Sequence, residues 1–149
     1  MSATDAQSLT AAHAEVKAEI ARTDNKTALL LAFVGAVLAG AWTIGGAVPL
    51  TDAGVAVGGA GVVTLLGAAG LLLWSVRPNL GGRHGFPLWA TLTPEEITNV
   101  VSVDLAHDIA GLSRLAVGKF RCLRRAVDLT LTGGALLILA ALLTAGSAA

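Results

Sequence analysis

From Ala28 to Thr51 the chain carries no charged residue, and just before that run Arg22, Asp24 and Lys26 recur at every second position. Crossing the hydrocarbon core of a bilayer takes about 20 helical residues. A charged cluster abutting an apolar run of this length is the pattern of a helix entering a membrane. The alternative, the buried core of a large soluble protein, does not suit a chain of 149 residues. Charged residues make up 13% of the chain, against about 25% in soluble domains, while 54% are hydrophobic.

The same pattern recurs twice. Ala53–Val76 is again uncharged, with Trp74 near its exit and Arg77-Pro78 as a stop. A third run, about Ala126 to Ala145, holds only Asp128 near its entry. The second run is rich in glycine: Gly54 and Gly58 form a GxxxG, and Gly61, Gly67 and Gly70 add further notches. Small residues let helix backbones approach closely in lipid. The expected fold is therefore an all-α membrane protein, with three transmembrane helices and a small helical cytoplasmic part. Its segments are an N-terminal cytoplasmic helix over 1–26, spans over 27–48, 53–76 and 126–145, and a cytoplasmic helical region over 77–125. Gly45 to Asp52 reads as the turn between the first two spans, and no signal peptide is expected.

All ten Lys and Arg residues fall before the first span or between the second and third. By the positive-inside rule the N-terminus and the middle region are cytoplasmic and the C-terminus lies outside.

The polar segments read as helices that pack together. Leu9, His13, Val16 and Ile20 follow a 4-3-4 spacing and share a face. Glu15 and Glu19 repel mildly at i,i+4, so this helix needs a partner surface. Gly81 to Pro87 has the punctuation of a loop, with Phe86, Leu88 and Trp89 available for anchoring. Thr93-Pro94-Glu95-Glu96 is a helix start, with Thr at the N-cap, Pro at the first helical position and Glu closing a capping box. A break is expected near Ser102. Beyond it, Leu105, Ile109, Leu112, Ala116, Phe120 and Leu123 form an apolar stripe. His107, Gly111, Arg114, Gly118, Arg121 and Arg125 form a separate stripe.

The chain shows no catalytic triad spacing, no paired catalytic carboxylates and no phosphate-binding glycine motif, so it is not expected to be an enzyme or to hold a cofactor. Asp104, His107 and Asp108 lie within about a turn and can in principle hold a metal, although such neighbours are more often solvated or ion-paired. Cys122 reads as an ordinary small residue beside a helix face. Lys119, Arg121, Arg124 and Arg125 stand just before a span, where cations meet anionic lipid headgroups. His107 and Arg114 stand about three to five helical turns before the start of the span and can instead line an anion site. A phosphate suits Arg114, with Gly111 and Gly118 leaving room beside it. Asp24 and Lys26 have a plainer role open to them, an N-cap at Asp24 and an interfacial lysine.

The run Asp24-Asn25-Lys26-Thr27-Ala28-Leu29-Leu30-Leu31-Ala32-Phe33-Val34-Gly35 resembles the Asp-x-Lys-Ala/Thr-x-x-Leu-Leu-x-x-x-Gly entry motif of the Pycsar transmembrane effectors. Leu112-Ser113-Arg114-Leu115-Ala116-Val117-Gly118-Lys119-Phe120 is similar to that family's Leu-Ser-x-x-Ala-x-x-Lys-Tyr/Phe pattern before the last span. Thr27 stands where the family often has alanine. The resemblance spans nearly the whole chain in the same order. It implies an anti-phage effector of the bacterial inner membrane. A companion cyclase makes cyclic UMP or cyclic CMP on infection, and the effector senses it and impairs the membrane to abort infection. It also implies sensing or switching roles for Asp24, Lys26, His107, Ser113 and Lys119. A lesion made by glycine-rich spans requires a homo-oligomer. The implied partners are the cyclic nucleotide, membrane lipid and further copies of the chain, with no nucleic acid. A second reading is a structural membrane subunit that anchors a partner without ligand gating.

Overall fold

The computed structural model describes residues 3–77, 88, 90–97 and 105–147. Three long helices carry the chain: α1 over Ala3–Ala47, α2 over Asp52–Val76 and α3 over Leu105–Gly146. Each is long and apolar enough to cross a membrane, and no strand occurs among the described residues. The fold is all-α, as the sequence predicts.

The change of composition near Lys26 is not a helix boundary. No Gly or Pro occurs between Ala3 and Val34, so nothing in the chain interrupts the hydrogen-bond ladder. Asp24 sits in mid-helix, which overturns its expected N-cap role, because a cap needs a non-helical backbone. One turn earlier in the ladder, the Thr23 hydroxyl donates to the Glu19 carbonyl at 2.9 Å. Gly45 and Gly46 also remain helical, and α1 closes with the Val48 N–H donating to the Ile44 carbonyl at 3.1 Å. Pro49 follows, without an N–H to continue the ladder. Thr51 then caps α2, its hydroxyl accepting from the Gly54 N–H at 3.1 Å. Asp52 is the first helical residue, its charge favourable at the positive end of the helix dipole.

The expected capping box is present. The Thr93 N–H donates to Glu96 Oε2 at 2.8 Å, and the Glu96 N–H donates to Thr93 Oγ1 at 3.4 Å. Pro94 opens the turn over 94–97. The backbone N–H of Thr93, then its hydroxyl contact, holds the Glu96 carboxyl below the usual glutamate range. The expected break at Ser102, the loop at 81–87 with Phe86, and the anchoring side chain of Trp89 lie outside the described residues.

In every helix the positions shielded from solvent recur at alternating steps of four and three. On α1 the stripe of Leu9, His13, Val16 and Ile20 continues through Thr23, Thr27, Leu30, Val34, Val37 and Ala41. On α2 it is Gly54, Gly58, Gly61, Leu65, Ala68 and Leu72. On α3 it runs Leu105, Ile109, Leu112, Ala116, Lys119, Leu123, Ala126, Thr130, Gly133, Leu137, Ala140 and Thr144. This is the 3.5-residue period of knobs-into-holes packing. Its fifth member on α3 is Lys119, not the predicted Phe120, which is 37% exposed.

The chain divides into two compact units. One comprises Met1–Asp24 with Arg77–Phe120, and the other Asn25–Val76 with Arg121–Ala149. In the second unit α2 and α3 run antiparallel through small residues. A Cβ added at Gly54 would lie 2.5 Å from Thr144 Oγ1, and one at Gly58 3.4 Å from Ala140 Cβ. One at Gly61 would lie 3.1 Å from the Gly133 carbonyl oxygen. Further along, the Cys122 thiol donates to the Leu71 carbonyl at 3.3 Å. Gly59 and Gly70, by contrast, face open space. Large apolar side chains point outward: Trp42 is 86% exposed, Leu131 69% and Ile138 65%. A seam of small residues between α2 and α3, with leucines such as Leu65 and Leu72 buried beside it and many bulky apolar residues outside, suits lipid as solvent, where close van der Waals packing replaces the hydrophobic drive.

Candidate functional site

The candidate residues come from both long polar helices of the first unit. α1 brings Asp24, and α3 brings His107, Ser113, Arg114 and Lys119. The structure joins Asp24 to Lys119: the ammonium donates to Asp24 Oδ1 at 2.5 Å. These residues stand 95 positions apart in the chain. The Lys119 side chain is 20% exposed and that of Asp24 41%. Lys119 reaches this place because the 4-3 phase of α3 carries it onto the shielded stripe, one turn after buried Ala116. Its methylene stem covers apolar surface while its charge meets the carboxylate. A partly exposed pair of this kind contributes about 1 kcal/mol. Losing Asp24 costs more than the pair contributes, because the Lys119 charge then stays in the stripe uncompensated.

The remaining candidates do not converge with Lys119. At about 100° per residue, His107 and Arg114 share a face of α3, and Lys119 lies about 120–140° away from both. Arg114 is exposed, Ser113 is half-buried, and a Cβ at Gly118 would meet nothing within 4 Å. Among the described residues, the face bearing Arg114 and Gly118 is thus open at that level. His107 is exposed and already engaged in an interaction, as is half-buried Asp108. Asp104, the third member of the possible metal group, lies outside the described residues. Lys26 is exposed and belongs to the second unit; two residues on from Asp24, it leaves α1 on another side. Among the described residues, the motif residues Asp24 and Lys119 are in contact with each other.

Sequence reasoning did not place Thr23 and Thr27 on the shielded stripe, yet they are 1% and 0% exposed. The signal was available: continuing the 4-3 spacing from Leu9, His13, Val16 and Ile20 lands on both. The exposed Arg22, whose guanidinium lies 3.4 Å from Glu19 Oε2, is a local i,i+3 pair and contributes little.

The description of the Pycsar effector protein domain matches residues 8–146, nearly the full chain. The chain belongs to the Pycsar effector family. The matched stretch includes all three long helices almost entirely, together with Asp24 and Lys119. Membership places the protein among anti-phage defence effectors, in a family tied to cyclic pyrimidine nucleotide signalling. No curated protein and no solved structure matches the chain.

Proposed function

We propose that this Pycsar family member is a non-enzymatic effector of the bacterial inner membrane, activated by cyclic UMP or cyclic CMP. On activation it impairs membrane integrity and aborts phage infection. The observation that carries the reading is the family match over residues 8–146, which spans the charged and the apolar stretches of the three long helices together. The positive-inside pattern supports a cytoplasmic N-terminus and middle region, with the C-terminus outside. In that arrangement the exposed Arg114 and the open space at Gly118 face the compartment in which a cyclase product accumulates. A guanidinium offers paired donors to a phosphodiester, and His107 lies on the same face of the helix.

The spans expose apolar side chains outward and pack small residues inward, so a single copy offers no polar path. The proposed lesion therefore arises in a homo-oligomer whose packing differs between free and bound states. The ligand must favour one packing by a real difference in affinity. The deciding experiment is membrane potential in cells expressing the protein, with and without added cyclic UMP or cyclic CMP. Nucleotide-dependent depolarisation is expected. An unchanged potential with both nucleotides, at verified membrane abundance, would overturn the reading.

A further inference from the structure

We infer that the Asp24–Lys119 ion pair holds the resting state, and that an anionic phosphate ligand acts by competing with Asp24 for Lys119; the inference rests on the ligand-gated reading above. Lys119 is the one charged residue on the shielded stripe of α3 between Leu105 and Thr144, whose other members are apolar, small or hydroxyl-bearing. A cation in such a stripe needs an anion, and its choice of partner fixes how the stripe is seated. The partner lies 95 residues away on α1, so the pair fastens α1 and α3 to each other inside their unit. A local pair such as Arg22 with Glu19 fastens nothing.

Two further features suit a releasable contact. The pair is neither sealed nor open, with side chains 20% and 41% exposed. A solute can reach it, yet the lysine stem stays packed. Asp24 is also the last residue that α1 gives to the charged unit, and Lys119 the last but one that α3 gives to it. The pair therefore stands where both helices leave that unit. A phosphodiester and a carboxylate carry the same single charge, so the exchange on Lys119 is close to balanced. The other contacts of the ligand then decide its direction.

The test uses the full protein in vesicles of phosphatidylethanolamine and phosphatidylglycerol holding a potassium diffusion potential, with release scored per incorporated molecule. Wild type, Asp24→Asn, Lys119→Gln and the swap Asp24→Lys/Lys119→Asp are each measured with cyclic UMP, cyclic CMP, inorganic phosphate or nothing. Both single variants are expected to discharge the vesicles without nucleotide, at least about fivefold above wild type. The swap should return to the wild-type baseline, which misfolded singles would not explain. Single variants that stay quiet alone and respond to nucleotide like wild type would overturn the inference. So would singles silent even with nucleotide, which would put the pair in the active state, or a swap that leaks like the singles. Inorganic phosphate matching the nucleotides on wild type would overturn competition by a nucleotide-specific ligand. Leaky singles beside a wild type that ignores both nucleotides would instead remove the nucleotide reading and leave the holding role of the pair standing.

Discussion

Replacing Gly133 with alanine sets a Cβ 2.7 Å from Leu65 Cγ, 3.0 Å from the Gly61 carbonyl oxygen and 3.1 Å from Leu65 Cδ2. Neither obstacle yields easily. The Gly61 oxygen is backbone, and Leu65 is 0% exposed, with its Cγ a branch point near the backbone rather than the far end of a flexible side chain. Carbon–oxygen contacts between helices rest near 3.3–3.6 Å, so α2 and α3 would part by about 0.3–0.6 Å. Overpacking of this kind costs about 1–3 kcal/mol. Alanine also returns up to about 1 kcal/mol of helix propensity, which would blur a comparison with wild type. Gly134 supplies the control. It is the next residue on α3, gains the same propensity, and a Cβ there meets nothing within 4 Å. The difference between Gly133→Ala and Gly134→Ala therefore isolates the packing term. Reversible unfolding in mixed micelles, followed by helical circular dichroism, should show Gly133→Ala less stable than Gly134→Ala by about 1–3 kcal/mol. Equal stability of the two would refute the close approach of α2 and α3 at this point.

Other expectations follow from the same geometry. Arg114→Ala should weaken binding of cyclic UMP or cyclic CMP at least tenfold by titration, as loss of a charged hydrogen bond does; unchanged affinity would remove Arg114 from the site. Because the Glu96 carboxyl is held below its ordinary range by Thr93, its support of the 94–97 turn is complete above the ordinary glutamate pKa and is lost as pH falls through the lowered value. Carboxyl chemical shifts against pH should show this for Glu96, and Thr93→Ala should bring the titration back toward the usual range. Ile138→Arg puts a charge on an outward position near the middle of the apolar part of α3 and should cost insertion about 2.5–3.5 kcal/mol. Membrane fractionation reads this, and undiminished insertion would mean that Ile138 does not face lipid.

Some of this architecture was plain in the sequence for physical reasons. Uncharged runs of span length have few alternatives, and the capping box at Thr93 is a local contact among four residues. The glycine seam was half legible. Composition pointed to close packing of the second span but not to the phase that puts Gly54, Gly58 and Gly61 inward and leaves Gly59 and Gly70 outside. The junction near Lys26 misled because polarity changes there while helix propensity does not. Phe120 stood in for Lys119 because hydrophobicity alone favours the aromatic ring, whereas the 3.5-residue phase, followed over many turns, favours the lysine. The motifs flagged Asp24 and Lys119 separately. Their contact closes a gap of 95 residues, and no local spacing encodes it.

The alternating stripe on α3 also governs which changes of chain length the helix tolerates. Between Lys119 and Gly133 lie two full heptads, so gaining or losing seven residues returns both to the shielded side. Insertion of a single residue turns everything after it by about 100°. Gly133 would then leave Gly61, Thr132 would face α2 in its place, and Leu143 would replace Thr144 opposite Gly54. Drift in this family should therefore be frequent in side chains along the outer faces and rare in the number of residues between these two points.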